Sequence, residues 1–136
     1  AVEIGEGVVP TYFTHEVTDF EPVVDADGNP VMSHYGLQKA KVKGFKAVPL
    51  PAFLEGPARM MGYVDTDTAR EMFNNVKKTD IYDSKLGMYK TSASIEECSM
   101  ENGRCRAFTP GWQERENVFL HMEYKYMLAM IESRTL

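Results

Sequence analysis

The chain has 136 residues, of which 43% are hydrophobic, 26% charged and 11% aromatic, with a formal net charge of −5 at pH 7. This composition is typical of one globular domain with a core, and it is not that of a disordered chain. No Lys/Arg run exceeds Lys77-Lys78, which together with the acidic balance argues against nucleic-acid binding. The apolar runs span only a few residues, so we expect no membrane-spanning helix.

Residues 1–53 are predicted to be extended chain and loop. Prolines interrupt short β-type patches, such as the one at 11–14. Residues 25–30 have the composition of a turn, with acidic and amide side chains at alternate positions, as at the start of a calcium loop. However, Pro30 stands where such a loop needs glycine, and Gly36 stands where it needs glutamate. We therefore predict a plain hairpin or loop turn here.

Helical patterns begin after residue 53. Thr68, followed three positions later by Glu71, has the spacing of a capping box and predicts that a helix begins at Thr68. Met72, Phe73 and Val76 would form the apolar side of that helix.

Cys98 and Cys105 flank the dipeptide Asn102-Gly103, which is typical of a two-residue hairpin turn. In that geometry the cysteines are diagonal neighbours about 7–8 Å apart, beyond the usual reach of a disulfide. A bulge or a wider loop would still bring them together. We favour two reduced cysteines in a cytoplasmic protein, and two sulfurs alone make a poor metal site.

The last predicted helix, from residue 113 or 114 to about 133, is apolar on almost every side. Its apolar residues are Val118, Phe119, Leu120, Met122, Tyr124, Tyr126, Met127, Leu128, Ala129, Met130 and Ile131. A helix of this kind is normally buried all round. We therefore expect either oligomerisation or a position inside a larger helical assembly. The start without methionine and the end inside this helical pattern favour a piece of a longer polypeptide.

Two interpretations remain open for the polar residues of this helix. His121 and Lys125 lie one turn apart, with Asn117 one turn earlier, so the three share a face. A single histidine on an apolar helix is commonly a hydrogen-bonded core or interface residue, whereas charged neighbours on a buried helix favour contact with a ligand. Trp112 is either a core residue or a platform for a sugar ring.

A segment near the C-terminus resembles a known family. Residues 108–126 read FTPGWQERENVFLHMEYKY, which resembles the late catalytic-domain region of large bacterial glycoside phosphorylases of the cellobiose phosphorylase type. Residues 10–13, 50–57 and 82–89 are similar to the same family more loosely. The resemblance implies a long chain with an (α/α)6 barrel catalytic domain and flanking β-rich domains.

The reaction implied by the resemblance is inverting phosphorolysis of a glycosidic bond. A carboxylic acid protonates the glycosidic oxygen while inorganic phosphate attacks the anomeric carbon from the opposite face, which gives a sugar 1-phosphate. Phosphate is then a co-substrate, and no other cofactor and no metal is implied.

The same resemblance names site residues. In the family a Glu-Asn-Gly-Gly…His pattern opens a barrel helix, and its histidine lies at the phosphate site. Glu116 and Asn117 match the start of this pattern and His121 its end, although the two glycines are absent and the spacing is shorter. Together with Trp112 and Lys125 they are the predicted substrate or phosphate-binding residues. The aspartate that serves as general acid in the family has no counterpart here, so the catalytic acid is unassigned.

These inferences combine into one fold prediction and two functional hypotheses. The fold is predicted to be mainly α with a long irregular, β-containing N-terminal region, and to be part of an (α/α)6 barrel. Residues 1–136 would form one unit, extended over 1–53 and helical over 54–136, cut from a larger catalytic domain and inactive alone.

The first hypothesis is a portion of a carbohydrate-active enzyme, a glycoside phosphorylase or a hydrolase of the same fold. Its partners would be an oligosaccharide, phosphate, and the remainder of its own polypeptide or a second copy. The alternative is a non-catalytic interaction module whose apolar C-terminal helix mediates oligomerisation or docks on a partner.

Overall fold

The computed structural model describes residues 7–136 of the chain. Its elements are, in chain order, β1 (Phe13–Pro22), β2 (Ala40–Pro49), α1 (Glu55–Met60), α2 (Thr66–Val76), β3 (Tyr82–Asp83), β4 (Met88–Tyr89), α3 (Arg104–Ala107) and α4 (Leu120–Glu132). Short 3₁₀ turns at Met61–Tyr63 and Met100–Asn102 follow α1 and precede α3. The described chain divides into two compact units, which are Phe13–Val48 and residues 7–12 together with Pro49–Leu136.

The first unit is a ribbon in which β1 and β2 pair as a two-stranded antiparallel sheet. Lys43 Nζ lies 2.8 Å from a carboxylate oxygen of Glu21, and Lys46 Nζ lies 2.9 Å from one of Glu16. Most side chains on both strands are exposed, so each ion pair contributes only about 0–1 kcal/mol. A two-stranded ribbon with so little burial is marginally stable by itself.

A three-way backbone junction closes the far end of the ribbon. The N–H of Val23 donates to the carbonyl of Lys39, the N–H of Lys39 to Val31, and the N–H of Val31 to Val23, over 2.8, 2.8 and 3.0 Å. Two short hairpins, bridged at Val24–Pro30 and Met32–Gln38, extend from this junction.

The first of these hairpins contains the turn predicted at residues 25–30. Asp25 Oδ1 accepts hydrogen bonds from the backbone N–H of Asp27 and Asn29, both over 2.9 Å. Gly28 has φ 85°, a conformation that glycine adopts without steric cost. The prediction of a plain turn is confirmed.

The second unit packs its helices and the β3–β4 hairpin around a hydrophobic core. α4 and α2 both pack against α1. The buried core residues include Val8, Ala52, Leu54, Met61, Ala69, Met72, Val76, Ile81, Tyr89, Met122, Tyr126 and Met130. In α2 the core positions Ala69, Met72 and Val76 recur at the spacing of one helix face.

α2 begins earlier than the sequence pattern indicates. Its N-cap is Asp65, whose carboxylate accepts hydrogen bonds from the backbone N–H of Asp67 and Thr68. The Thr68 hydroxyl donates to the same carboxylate over 2.8 Å. The predicted Thr68 cap is therefore wrong by one turn, because an aspartate three positions upstream satisfies the free N–H groups first.

α4 is buried on one side only. Met122, Tyr126, Ala129 and Met130 face the core. A second row of large apolar side chains is 45–61% exposed, namely Leu120, Tyr124, Met127, Leu128 and Ile131. Within the described chain, α1 and the core cover a single face of the helix. Burial of the other face by a second copy or by a larger assembly stays a prediction.

The predicted fold class is wrong. The described chain is not mainly α and does not form part of an (α/α)6 barrel, because it combines four helices with two small antiparallel sheets. Within the N-terminal region, predicted to be largely irregular, β1 and β2 have ten residues each and satisfy each other's backbone groups. No helix within residues 7–136 combines the length and apolarity needed to cross a membrane.

The segment around the two cysteines also differs from its prediction. Asn102 ends a 3₁₀ turn and Gly103, with φ 71°, leads directly into α3. The predicted two-residue hairpin at Asn102-Gly103 is wrong, and both Cys98 and Cys105 are free thiols. Burial is the main cause that raises the pKa of the Cys98 thiol.

Candidate functional site

An open groove lies along one side of the second unit. It consists of two adjoining cavities of about 590 and 630 Å³. Residues 9–12 line the first cavity, α4 lines the second, and Glu55, Arg59 and Tyr63 line both. These volumes fall within the usual range for small-molecule sites.

A close backbone approach forms the floor of the groove. The N–H of Gly56 donates to Thr11 Oγ1 over 2.7 Å, and this hydroxyl donates to the carbonyl of Phe53. A Cβ at position 56 would lie 2.7 Å from both Thr11 Oγ1 and the carbonyl oxygen of Val9. Only glycine therefore lets the 9–11 segment pass across α1 at this distance.

The polar centre of the groove is an ion pair on α1. Arg59 donates from Nε and from a terminal nitrogen to Glu55 Oε1, over 2.8 and 2.6 Å. The hydroxyl of Tyr12 donates to Glu55 Oε2 over 3.2 Å. The hydrogen bonds from Arg59 and Tyr12, with the charges of Arg59 and Lys125, outweigh partial burial and hold the pKa of Glu55 below its ordinary value.

Two tyrosines provide aromatic surface beside this ion pair. Tyr12 is 47% exposed and its ring packs edge-on against Phe53, with centroids 5.3 Å apart. Tyr63 is 88% exposed. Burial is the main reason that the pKa of Tyr12 is raised, followed by the charge of Glu55, so Tyr12 remains a hydroxyl donor at neutral pH.

A buried arginine organises the loop that precedes α4. The side chain of Arg115 is only 4% exposed. One terminal nitrogen donates to the carbonyls of Arg106 and Phe108, both over 2.8 Å, and the other donates to the carboxylate of Glu96. Arg115 therefore joins its own loop to the segment at Arg106–Phe108 and to Glu96.

Backbone strain accompanies this arginine. Gln113 and Glu116 have φ 52° and 54°, in the left-handed region that residues with a side chain rarely occupy. The N–H of Glu116 donates to Ser92 Oγ over 3.1 Å, and one Glu116 carboxylate oxygen lies 3.6 Å from Arg115 Nε. These contacts hold Glu116 in its strained conformation.

The other predicted site residues each make a different contact. The N–H of Asn117 donates to Thr91 Oγ1 over 3.3 Å, and its carbonyl accepts from the N–H of Thr91. Trp112 is exposed and packs edge-on against Phe108. His121 is exposed at the start of α4, where its ring lies 5.9 Å from that of Phe119.

Of the five predicted site residues, Lys125 lines the groove. The roles predicted for Glu116, Asn117, Trp112 and His121 stay predictions. The sequence analysis missed Tyr12, Glu55, Arg59 and Tyr63. The sequence does contain a signal for the ion pair of the groove. Glu55 and Arg59 are four positions apart, which is the spacing of an ion pair on a helix.

No metal-binding group is present among the described residues, in that no three His, Cys, Asp or Glu side chains converge between residues 7 and 136. Comparison of the whole chain with protein-family models, with curated proteins and with solved structures finds no match.

Proposed function

We propose that this chain is a portion of a carbohydrate-active enzyme and that its groove contributes to sugar binding. One observation supports the proposal above all. Three segments that resemble glycoside phosphorylases, at 10–13, 50–57 and 108–126, each supply residues to the groove, including Tyr12, Glu55 and Lys125. These segments are distant in the chain, and nothing in their local patterns requires them to meet.

The chemistry of the groove suits a saccharide. Aromatic side chains such as Tyr12 and Tyr63 present apolar faces on which the C–H groups of a sugar ring can stack. The carboxylate of Glu55 accepts hydrogen bonds, as sugar hydroxyls require. A concave site that combines apolar surface with a few polar groups is the usual form of a small-molecule site.

The reaction that we assign to the enzyme is inverting phosphorolysis in the cytoplasm, with inorganic phosphate as co-substrate. His121, exposed at the start of α4, would donate a hydrogen bond to the phosphate outside the groove. Lys125, one turn later on α4 and in the wall of the groove, would contact the sugar. The proton donor to the glycosidic oxygen is unassigned, so we expect this chain to be inactive alone.

The test is an activity assay on the full-length polypeptide that the gene encodes, with a panel of disaccharides in the presence and absence of phosphate. Phosphate-dependent release of a sugar 1-phosphate is the expected result. Release of free sugar alone would assign hydrolysis instead. If neither product forms from any disaccharide of the panel, the proposal of a carbohydrate-active enzyme is wrong.

A second function, self-association through α4, is favoured by a different observation. Leu120, Tyr124, Met127 and Ile131 follow one another at intervals of four, three and four residues, which is the repeat of a coiled-coil seam. With Leu128 they form an exposed apolar stripe about 100° wide, opposite the buried face of the helix. A stripe of this kind commonly marks a protein–protein interface.

Light scattering coupled to size-exclusion chromatography tests the second function. We expect a concentration-dependent dimer that Leu120→Lys together with Leu128→Lys converts to a monomer. Leu86→Lys is the matched control, because Leu86 is an equally exposed leucine between β3 and β4. A chain that is monomeric at every concentration would contradict self-association.

A further inference from the structure

The charges that line the groove cancel. Four charged residues contribute to its walls, namely Glu55, Arg59, Lys125 and Glu132. Two are acidic and two are basic, so the groove has no excess positive charge. Sites for phosphate groups, by contrast, concentrate arginine, lysine or free backbone N–H groups around the anion.

The arginine of the groove is already engaged. Two nitrogens of Arg59 donate to the same oxygen of Glu55, over 2.8 and 2.6 Å. A phosphate approaching this guanidinium would meet the carboxylate at close range, and like charges at such distances repel. Because Glu55 balances the charge of Arg59 and uses two of its donor nitrogens, the pair attracts a phosphate less than a free arginine would, which disfavours an anionic ligand here.

The remaining surface favours an uncharged ring. Tyr12 donates to Glu55, Tyr63 lies at the end of the 3₁₀ turn that follows α1, and both line the first cavity. A neutral sugar needs aromatic faces for its C–H groups and hydrogen-bonding groups for its hydroxyls. The Glu55 carboxylate meets the second need without requiring a charge on the ligand.

We propose that this groove binds an uncharged saccharide unit and rejects phosphate and phosphorylated sugars. The inference rests on the proposed function and adds the substrate class of this site. Any phosphate used by the enzyme binds outside the groove, and the groove holds a neutral sugar residue of the oligosaccharide.

Titrations of the 136-residue chain, followed by NMR, test the inference. The probes are cellobiose and maltose as neutral sugars, glucose 1-phosphate, and inorganic phosphate. We expect cellobiose or maltose to shift resonances of Tyr12, Tyr63 and α1, with an affinity that changes by less than about twofold between low and high salt, because an uncharged ligand is not screened. We expect both phosphate probes to leave these resonances unchanged.

The outcomes separate the two proposals. Binding of glucose 1-phosphate or phosphate in the groove, with or without binding of a neutral sugar, overturns the inference but leaves a carbohydrate-active enzyme standing. A groove that binds none of the four probes overturns the inference, while the activity assay on the full-length polypeptide still decides the proposed function.

A matched pair of tyrosine variants locates the bound sugar. Tyr63→Ala should weaken binding of the neutral sugar about five- to tenfold, since one aromatic contact is lost. Tyr35→Ala should leave the affinity unchanged, because Tyr35 is a similarly exposed tyrosine in the ribbon unit. Equal affinities of the two variants would place the sugar elsewhere and contradict the inference.

Discussion

Arg59 and Glu55 form a two-pronged ion pair across one turn of α1, with both donors directed at a single carboxylate oxygen. The pair lies where the two cavities of the groove adjoin, and Tyr12 adds a third donor on the other oxygen of Glu55. The Glu55 carboxylate therefore contacts both Arg59 and Tyr12, so its ionisation affects the position of Tyr12.

The first prediction concerns the pKa of Glu55. Arg59→Gln should raise this pKa towards its ordinary value of 4.5, because the hydrogen bonds from Arg59 are the largest cause of the lowering. In the native chain the lowered pKa stabilises the fold at pH values above the ordinary pKa, and this contribution is lost as pH falls through the folded-state pKa. Carboxyl-carbon NMR across an acid titration measures the pKa of Glu55 in the native chain and in the variant.

Arg70→Gln is the control for this experiment. Arg70 pairs with Asp67 on α2 over 3.1 Å and does not line the groove. An unchanged pKa of Glu55 in Arg59→Gln, or an equal rise in both variants, would show that the ion pair does not hold the carboxylate.

The second prediction concerns Gly56. Replacing a helical glycine by alanine ordinarily stabilises a protein by about 0.5–1 kcal/mol. Gly56→Ala should instead reduce the free energy of unfolding by about 1–3 kcal/mol, because its Cβ would overlap the carbonyl of Val9 and the hydroxyl of Thr11. Urea denaturation measures the change. Gly62→Ala is the control, since no atom of residues 7–136 lies within 4 Å of its added Cβ, and equal effects would refute the close approach.

The third prediction compares the effects of replacing each partner of the ion pair between Arg115 and Glu96. Arg115→Met should reduce the free energy of unfolding by about 3 kcal/mol, since it leaves the carbonyls of Arg106 and Phe108 without their charged donor. Glu96→Gln should cost less than Arg115→Met, because the Gln carbonyl oxygen can still accept from Arg115 and the Glu96 side chain is 58% exposed to water. Thermal and urea denaturation check both values. Equal losses would mean that the charge pair, and not the carbonyl contacts, holds the loop.

The fourth prediction concerns alkaline pH. Burial is the main cause that raises the pKa of Tyr89 to about 12, and it raises the pKa of Tyr126 as well. The folded state therefore favours neutral tyrosines. The stabilisation that comes from these neutral tyrosines should be fully present below their ordinary pKa of 10. The free energy of unfolding should then fall as pH rises from about 10 to 12.

Tyr126→Phe tests the part of this effect that belongs to Tyr126. The Oη of Tyr126 is buried with no hydrogen-bond partner within residues 7–136, so its removal should raise the free energy of unfolding at pH 7 by about 1 kcal/mol. The variant should also lose less stability between pH 10 and 12. Denaturation curves at several pH values measure both effects, and a destabilised variant with unchanged alkaline sensitivity would contradict the prediction.

Local chemistry accounts for the features that were predicted correctly. The turn at residues 25–30 follows from Asp25 and Gly28, which act on backbone groups only a few positions away. The presence of a helix near the C-terminus follows from the run of apolar residues in this part of the sequence, most of which lie in α4. The error at the start of α2 is also local, because Asp65 and Thr68 both suit an N-cap and their order along the chain decides between them.

The sequence by itself determined the turn at residues 25–30 and the approximate positions of α2 and α4, since these depend on neighbours within one or two turns. Only the tertiary structure decided the length of β1 and β2, whose pairing partners are distant in the chain. It also decided that α4 begins at Leu120, because Gln113 and Glu116 have positive φ angles, which a right-handed helix excludes. The groove depends on tertiary structure for the same reason: Tyr12, Glu55 and Lys125 meet only after the core has packed α1 against α4.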